Sequence, residues 1–355
     1  MSIAPTDAIP ECAVTTENNV HLKFTDGTKT ISVPAGTTIL EAANAAGVRL
    51  VSQCTIGTCG TCVGRVACGD LVMPEGRVYS LRQDEMAAGH RLLCQSHAFA
   101  ESEVELDYPA AMLDEYPVIV TAAKVGAVTW LGESVVELQL KLPKSVRFSF
   151  RAGQYVRMRV PGTDEWRSYS MASGERERKK LAFTIRVLPS GAMSDYLRTA
   201  AAVGDQIDLE GPIGGFGLAD DPGPSLMIAG GTGLAPMLSM LETLQTARTD
   251  FPIRLVFGCT RAADLFHLDE LDARRSFMRN LGVRVVVDEP GNELAAVPDV
   301  LTGNPVSVLT PEDVAHPQTS AYLCGPPAML QAAEVRLLEL GMPAERIHAE
   351  QFLPS

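Results

Sequence analysis

Long apolar runs are missing from this chain. No stretch of its 355 residues approaches the ~18 consecutive apolar residues of a membrane helix, which excludes a helical membrane span. Positive charge is also in short supply: 30 Lys and Arg stand against 43 Asp and Glu, a net charge of -13. Nucleic acid is bound through excess Lys and Arg, so that class of partner is not expected. Histidines number only six and none form an H-x3-H pair, so no catalytic metal held by histidine is expected. The opening MSIAPTDAIPECAVTTE lacks the basic start and apolar core of a secretory signal, which places the expected home of the chain in the cytoplasm. Thiols stay reduced there, and the eight cysteines therefore call for a metal or redox reading rather than a disulfide one. Internal repeats and low-complexity tracts are lacking as well.

What is present is the composition of a soluble globular protein, 46% apolar and 21% charged, long enough for two or three domains. Charge is uneven along it. Residues 1–113 hold 7 Lys and Arg against 13 acids, residues 114–220 hold 14 against 13, and residues 221–355 hold 9 against 17. The relatively basic middle is either chance variation of a solvated surface or an accommodation to a pyrophosphate-bearing ligand.

Two proline-marked seams, Pro109–Pro117 and Asp220–Pro224, divide the chain into expected domains at 18–110, 115–220 and 224–355. In the first, Val20–Phe24 and Thr30–Val33 flank Asp26-Gly27 and read as a β-hairpin. Thr37 or Thr38 can cap a short helix from Ile39 to Ala46, ended by Gly47. The second carries alternating strands at Ala122–Val128, Val135–Leu140, Tyr155–Val160 and Leu181–Val187, which close most naturally as a small β-barrel. Beyond Pro224 the rhythm becomes strand, loop, helix, with short strands at Leu226–Ala229, Ile253–Gly258, Val283–Val287 and Ala321–Cys324; this predicts a doubly wound parallel sheet.

Cysteine spacing is the most specific signal. Cys54-x4-Cys59-x2-Cys62, followed by Cys94, matches the plant-type [2Fe-2S] pattern, in which four thiolates surround two irons. Gly57 and Gly60 let the loop turn tightly around a cluster, and its backbone N–H groups can stabilise the charge added on reduction. The alternative, structural zinc, prefers paired Cys-x2-Cys arms and leaves the glycine-spaced triplet unexplained.

In the middle segment Arg167-Ser168-Tyr169-Ser170 brings a cation, a ring and hydroxyls to a strand end. Arg can pair with a pyrophosphate, Tyr can lie on an isoalloxazine ring and Ser170 can reach its N5 edge. Alone this is also what an ordinary exposed strand end offers. A second motif in the right order, Gly191-Ala192-Met193-Ser194, opens a helical stretch whose N-terminus can receive phosphate. Gly211–Phe216 reads equally as a linker turn or a flavin contact. In the last third, strand Leu226–Ala229 runs into Gly230-Gly231-Thr232-Gly233-Leu234-Ala235-Pro236 and a helix, aiming N–H groups at a pyrophosphate; Pro236 stands where G-x-G-x-x-G requires glycine. Strand Ala321–Leu323 ends in Cys324-Gly325-Pro326-Pro327-Ala328-Met329, and ligands of open parallel sheets sit at C-terminal strand ends, so both loops should face one crevice. Cys324 is either a buried thiol or a nicotinamide-facing one. Arg261, after the next strand, is suggestive of a 2′-phosphate site, while Asp264 and the acidity of this third favour NADH.

This ordered set of motifs closely resembles the reductase components of two-component aromatic-ring-hydroxylating dioxygenases of the benzoate, toluate and anthranilate type, within the ferredoxin-NADP-reductase-like superfamily, and the resemblance runs from about Val20 to Phe352. It implies a β-grasp ferredoxin domain, a Greek-key FAD barrel and an NADH domain, with a Rieske non-heme iron oxygenase as partner. By resemblance, Cys54, Cys59, Cys62 and Cys94 would hold the [2Fe-2S] cluster. Arg167, Ser168, Tyr169 and Ser170 would hold the flavin ring and phosphates, and Gly191, Met193 and Ser194 the FAD pyrophosphate. Gly231, Thr232 and Gly233 would take the NADH phosphates, and Cys324, Gly325 and Pro326 the nicotinamide, with Ser170 and Cys324 at the reacting centre. Phe352 would be the terminal aromatic residue near the flavin; Gln351 stands where the family pattern often has Lys. The same modules also serve diiron monooxygenases. Plant-type clusters lie at roughly -400 mV and Rieske clusters higher, so electrons would run outward to the oxygenase. A monomer that docks its partner transiently is expected. Replacing Cys59 by Ser is expected to abolish cluster assembly, read from iron content and visible absorbance, yet to leave NADH-to-dye activity through the flavin; loss of both would mean that the domains do not fold independently.

Overall fold

The computed structural model describes residues 17–52, 57, 60–111, 116–177, 179–219, 221–289 and 300–351. It divides into two compact units, residues 1–50 with 54–111, and residues 51–53 with 112–355. Among the described residues no helix is long and apolar enough to cross a membrane.

In the first unit, β1 (Glu17–Phe24), β2 (Gly27–Pro34), β3 (Val63–Cys68), β5 (His90–Leu92) and β7 (Ser102–Glu105) form a mixed sheet ordered β2-β1-β7-β3-β5, and a small second ladder joins β4 (Leu71–Val72) to β6 (His97–Ala98). Strand alternation sends Val20, Leu22 and Phe24, with Ile31 and Val33 opposite, into the core. The hairpin turns one residue earlier than expected, at Thr25-Asp26, and Gly27 already pairs with Phe24. Asp26 is held elsewhere: its carboxylate accepts the Ala110 and Ala111 N–H groups at 2.6 and 2.9 Å, which lowers its pKa. Helix Ile39–Ala45 buries Ile39, Leu40, Ala42 and Ala43 over the sheet. Its cap is Thr38, in a reciprocal box with Glu41.

The second unit holds two sheets. β8 (Ile119–Trp130), β9 (Val135–Lys141), β10 (Tyr155–Arg159), β11 (Trp166–Ser170), β12 (Lys180–Arg186) and β13 (Gln206–Ile213) run antiparallel in the order β11-β10-β13-β8-β9-β12. A bridge between Met171 and Phe183, just past β11 and within β12, joins the two ends into a near-barrel filled by residues such as Phe148, Phe150, Val156, Leu138 and Phe183. Two expectations shift. Residues 167–170 form most of β11 rather than only its end, and Gly211–Ile213 belong to β13 rather than to a linker turn. Pairing to β10 on both flanks supplies the backbone partners that decide this.

All pairs of the remaining sheet are parallel: β17 (Val300–Thr302), β16 (Leu281–Glu289), β15 (Ile253–Arg261), β14 (Ser225–Gly230), β18 (Ser320–Gly325) and β19 (Ile347–Gln351), in that order. β14 is buried throughout, as a central parallel strand covered on both faces must be. Its C-terminal end passes through a 3-10 turn, Gly231–Gly233, into helix Leu234–Ala247. A Cβ on Gly233 would lie 2.2 Å from the Cys324 carbonyl oxygen, and one on Gly230 2.6 Å from Met329 Sδ. These two glycines let the β14 and β18 loops pack against each other. Gly233→Ala is therefore expected to cost about 1–3 kcal/mol of stability through overpacking, read as a lower urea midpoint of the flavin-loaded protein. Gly282→Ala, whose nearest neighbour would be 4.0 Å away, should stay within about 0.5 kcal/mol.

Candidate functional site

The cysteine site is built from the strand ladder outward. β3 and β5 pair Val63 with Leu92, and one step further Leu93 N–H donates to the Cys62 carbonyl at 2.9 Å. Cys62 and Cys94 thus reach neighbouring, buried positions from sites 32 residues apart in sequence. Helix Ile39–Ala45 locks the second of them. Its first-turn N–H groups, which lack intrahelical acceptors, donate from Ile39 to Ser96 O and from Leu40 to Leu93 O, gripping the chain on both sides of Cys94. Gly57 (φ +86°) and Gly60 (φ +75°) take the left-handed conformation expected of them. A Cβ at Gly57 would lie 2.8 Å from the Tyr79 ring and 2.9 Å from Gln95 Cγ, so that position excludes any larger residue. Two buried thiols, Cys62 beside the glycine-turned loop and Cys94 just past β5, fit an iron–sulfur cluster. Cys54 and Cys59 lie outside the described residues, as does Phe352.

In the second unit the parallel register aligns Ala229, Cys324 and Glu350 across β14, β18 and β19. Facing them is Ser170, the last residue of β11, whose Oγ–H donates to Glu350 Oε2 at 3.2 Å. Both side chains are buried. Burial raises the Glu350 pKa to about 8, and the Ser170 hydrogen bond only partly offsets it, so the carboxyl keeps its proton near neutrality. Cys324 is fully buried; desolvation and then the Glu350 charge push its thiol pKa well up, so it is a neutral packing group rather than a thiolate. A barrel hydroxyl, a sheet carboxyl and a thiol therefore converge at the C-terminal edge of the parallel sheet.

Glu350 carried no role in the sequence reading. An acid at the end of the final short strand looks solvent-facing until β19 is known to pair with β18. The other expected residues distribute as follows. Strand alternation turns Tyr169 away from Ser170, and Tyr169 packs on the barrel core. Arg167 pairs with Glu165 and donates to the Trp166 carbonyl, and Ser168 lies opposite Arg157. Gly191, at φ +138°, precedes helix Ala192–Thr199 with no side-chain cap, which leaves that helix end able to meet an anion. Met193 is part of the barrel core, and Ser194 Oγ accepts the Leu188 N–H at 3.0 Å. In the other loop pair, Gly231 (φ +53°) faces open space and Thr232 is half-buried. Gly325 takes φ +154°, and Pro326 caps helix Pro327–Glu339 beside Gly230. The two loops meet, with Gly233 against the Cys324 carbonyl and Gly230 against Pro326 and Met329.

Residues 23–98 match the model of the 2Fe-2S iron-sulfur cluster binding domain, residues 122–217 that of the oxidoreductase FAD-binding domain and residues 227–335 that of the oxidoreductase NAD-binding domain. The chain is 32% identical over 345 residues to the toluate 1,2-dioxygenase electron transfer component of Pseudomonas putida, covering 95% of this chain and 99% of that one. It is 33% identical over 318 residues to the propane 2-monooxygenase reductase component of Mycolicibacterium smegmatis, covering 88% and 91%. Among solved structures, the Amycolatopsis cytochrome P450 reductase GcoB superposes with a TM-score of 0.74 at 30% identity, covering 95% of this chain and 99% of that one. Fold, site geometry and these likenesses together establish that the chain belongs to the family of oxygenase electron transfer components, iron–sulfur flavoprotein oxidoreductases built from 2Fe-2S, FAD-binding and NAD-binding domains.

Proposed function

We propose that this reductase takes electrons from NADH and delivers them to a Rieske non-heme iron oxygenase acting on an aromatic carboxylate, working as a cytoplasmic monomer with domains at 18–110, 115–220 and 224–355. The observation that carries the proposal is the meeting of Ser170 with Glu350 beside Cys324, a buried polar pair at the edge where the barrel and the nicotinamide-type sheet face each other. A flavin held there would supply the conversion between the two-electron chemistry of a nicotinamide and the one-electron chemistry of an iron–sulfur cluster.

The chain's own residues supply position and protonation. Gly231 to Gly233 and Gly325 offer backbone N–H groups to a dinucleotide, and the end of helix Ala192–Thr199 does the same for a flavin pyrophosphate. Cys54, Cys59, Cys62 and Cys94 would hold the cluster. Ser170 Oγ is oriented by Glu350, which carries a proton at its carboxyl below pH about 8 and so adds no charge to the crevice there. Cys324, uncharged, keeps water out. A propane 2-monooxygenase reductase component at 33% identity supports a second reading, in which the partner is a diiron monooxygenase.

Glu350→Gln keeps the volume and removes the titration. Wild-type flavin reduction by NADH, followed by anaerobic stopped flow, is expected to slow as pH rises through about 8; the variant should lose that dependence and run about 10- to 100-fold slower below it. Because the folded pKa is raised from 4.5, the stability linked to Glu350 is fully present below pH 4.5 and is lost as pH rises to about 8, so the variant should gain relative to wild type across that window. The proposal as a whole is tested by an anaerobic NADH titration, with flavin and iron quantified on the same sample. Joint bleaching of both chromophores at about three electrons per chain, two for flavin and one for cluster, upholds it; flavin bleaching without iron leaves only a flavin reductase. Reduction of a purified Rieske component but not a diiron one decides between the partners.

A further inference from the structure

β15 lies beside β14 with Gly258 opposite Gly230, so its last residues flank the glycine loop. In an open parallel sheet, a dinucleotide whose pyrophosphate sits over the loop of one strand places its adenosine ribose at the end of the neighbouring strand. Here that end is Arg261, followed by the 3-10 turn Ala262–Asp264. A cation at this place would welcome a 2′-phosphate, yet its guanidinium is already engaged. Nε and Nη2 of Arg261 each donate to Asp264, at 2.9 Å to Oδ2 and 2.9 Å to Oδ1. The Asp264 carboxyl is only 11% exposed and accepts a third hydrogen bond at 3.0 Å from Ser134 Oγ, at the β8–β9 turn of the barrel. Arg186 of β12 adds favourable charge. These contacts hold the Asp264 pKa below the usual carboxylate range, the Arg261 hydrogen bond first, so the pair is ionised at neutral pH. A two-pronged Arg–carboxylate contact fixes the plane of the guanidinium, and the ring of partners around Asp264 keeps it from swinging away.

We infer that Asp264 is the residue that sets this reductase's preference for NADH: it withholds Arg261 from a 2′-phosphate and repels that phosphate with its own charge. This rests on the NADH reading above and assigns its specificity to one carboxylate. A free ribose 2′-hydroxyl meets no such repulsion and can donate to an acid. Specificity here is built by a repulsive element as much as by an attractive one.

The test uses the full-length, flavin- and cluster-loaded protein and two readouts: kcat/KM for NADH and NADPH with ferricyanide, and calorimetric binding of 2′,5′-ADP and 5′-AMP. Asp264→Asn keeps the shape and an acceptor for Ser134; Asp264→Ala removes both, and either variant counts as folded if its flavin content and near-UV dichroism match wild type. In Asp264→Asn, 2′,5′-ADP should bind at least about tenfold more tightly, 5′-AMP should change by no more than about twofold, and the NADPH-to-NADH ratio of kcat/KM should rise about tenfold or more. Adding Arg261→Ala should abolish that gain. An unchanged affinity for 2′,5′-ADP in both Asp264 variants, a gain that survives Arg261→Ala, or a wild type that uses NADPH as well as NADH overturns the inference and leaves the proposed function standing. A wild type that binds neither nucleotide and oxidises neither NADH nor NADPH overturns both.

Discussion

One apolar cluster does most to organise the larger unit. It runs from Val135, Ala152, Ala172, Phe216 and Leu218 of the barrel segment into Leu234, Met237, Met240, Phe257 and Tyr322 of the parallel-sheet segment. Burial of this kind stabilises by roughly 25 cal/mol for each Å² removed from water, and here the surfaces removed belong to two different sheets. Shared packing leaves little freedom for one sheet to slide on the other. Polar contacts then set the registration: Ser239 Oγ–H donates to Ser173 O at 2.7 Å, and Gly174 N–H donates to the Glu242 carboxylate at 3.2 Å. A Cβ at Gly153, which has φ +107°, would lie 2.9 Å from Met240 Cε across the seam and 2.4 Å from Phe216 O on its own side, so this position demands glycine. Only because this seam is fixed can Ser170, at the end of a barrel strand, meet Glu350, at the end of a sheet strand.

The two sites use buried groups in opposite ways. In the smaller unit, Cys62 and Cys94 are buried thiols, and the backbone around Cys94 is tied down by the first-turn N–H groups of a capped helix. In the larger unit, burial makes Glu350 a neutral acid and Cys324 a neutral thiol. Desolvation is the dominant cause in both of those cases. Arg261 and Asp264 form the contrasting arrangement, a charged pair at the sheet edge that stays ionised because each partner satisfies the other.

Much of this was legible in the sequence, because short-range patterns are dictated by local physics. Alternating strands, the Thr38 cap, the glycines beside the cysteines and the switch to strand-loop-helix rhythm report backbone and burial preferences that act over a few residues. Cysteine spacing is legible for a related reason, since ligands wrapped around one cluster constrain a single loop. The turn at Thr25-Asp26 and the inclusion of residues 211–213 in β13 escaped it. Both depend on partners 80 or more, or 50 or more, residues away: Asp26 on Ala110 and Ala111, and β13 on β10.

By itself, then, the order of residues determined that this chain would make a small hairpin-led sheet, an antiparallel barrel and a parallel sheet, carry a plant-type cysteine pattern and place glycine-rich turns at strand ends. Tertiary structure alone decided which of the candidate side chains meet. It sent Met193 into the barrel core and laid Tyr169 against it, buried Cys324, and brought Glu350 180 residues along the chain to Ser170. It also bound Arg261 to an acid anchored by Ser134 of another sheet. The physical reason is that a pKa, or the availability of a cation, depends on desolvation and on charges a few ångströms away in space. Those neighbours are chosen by which apolar faces bury each other, and no local pattern records that choice.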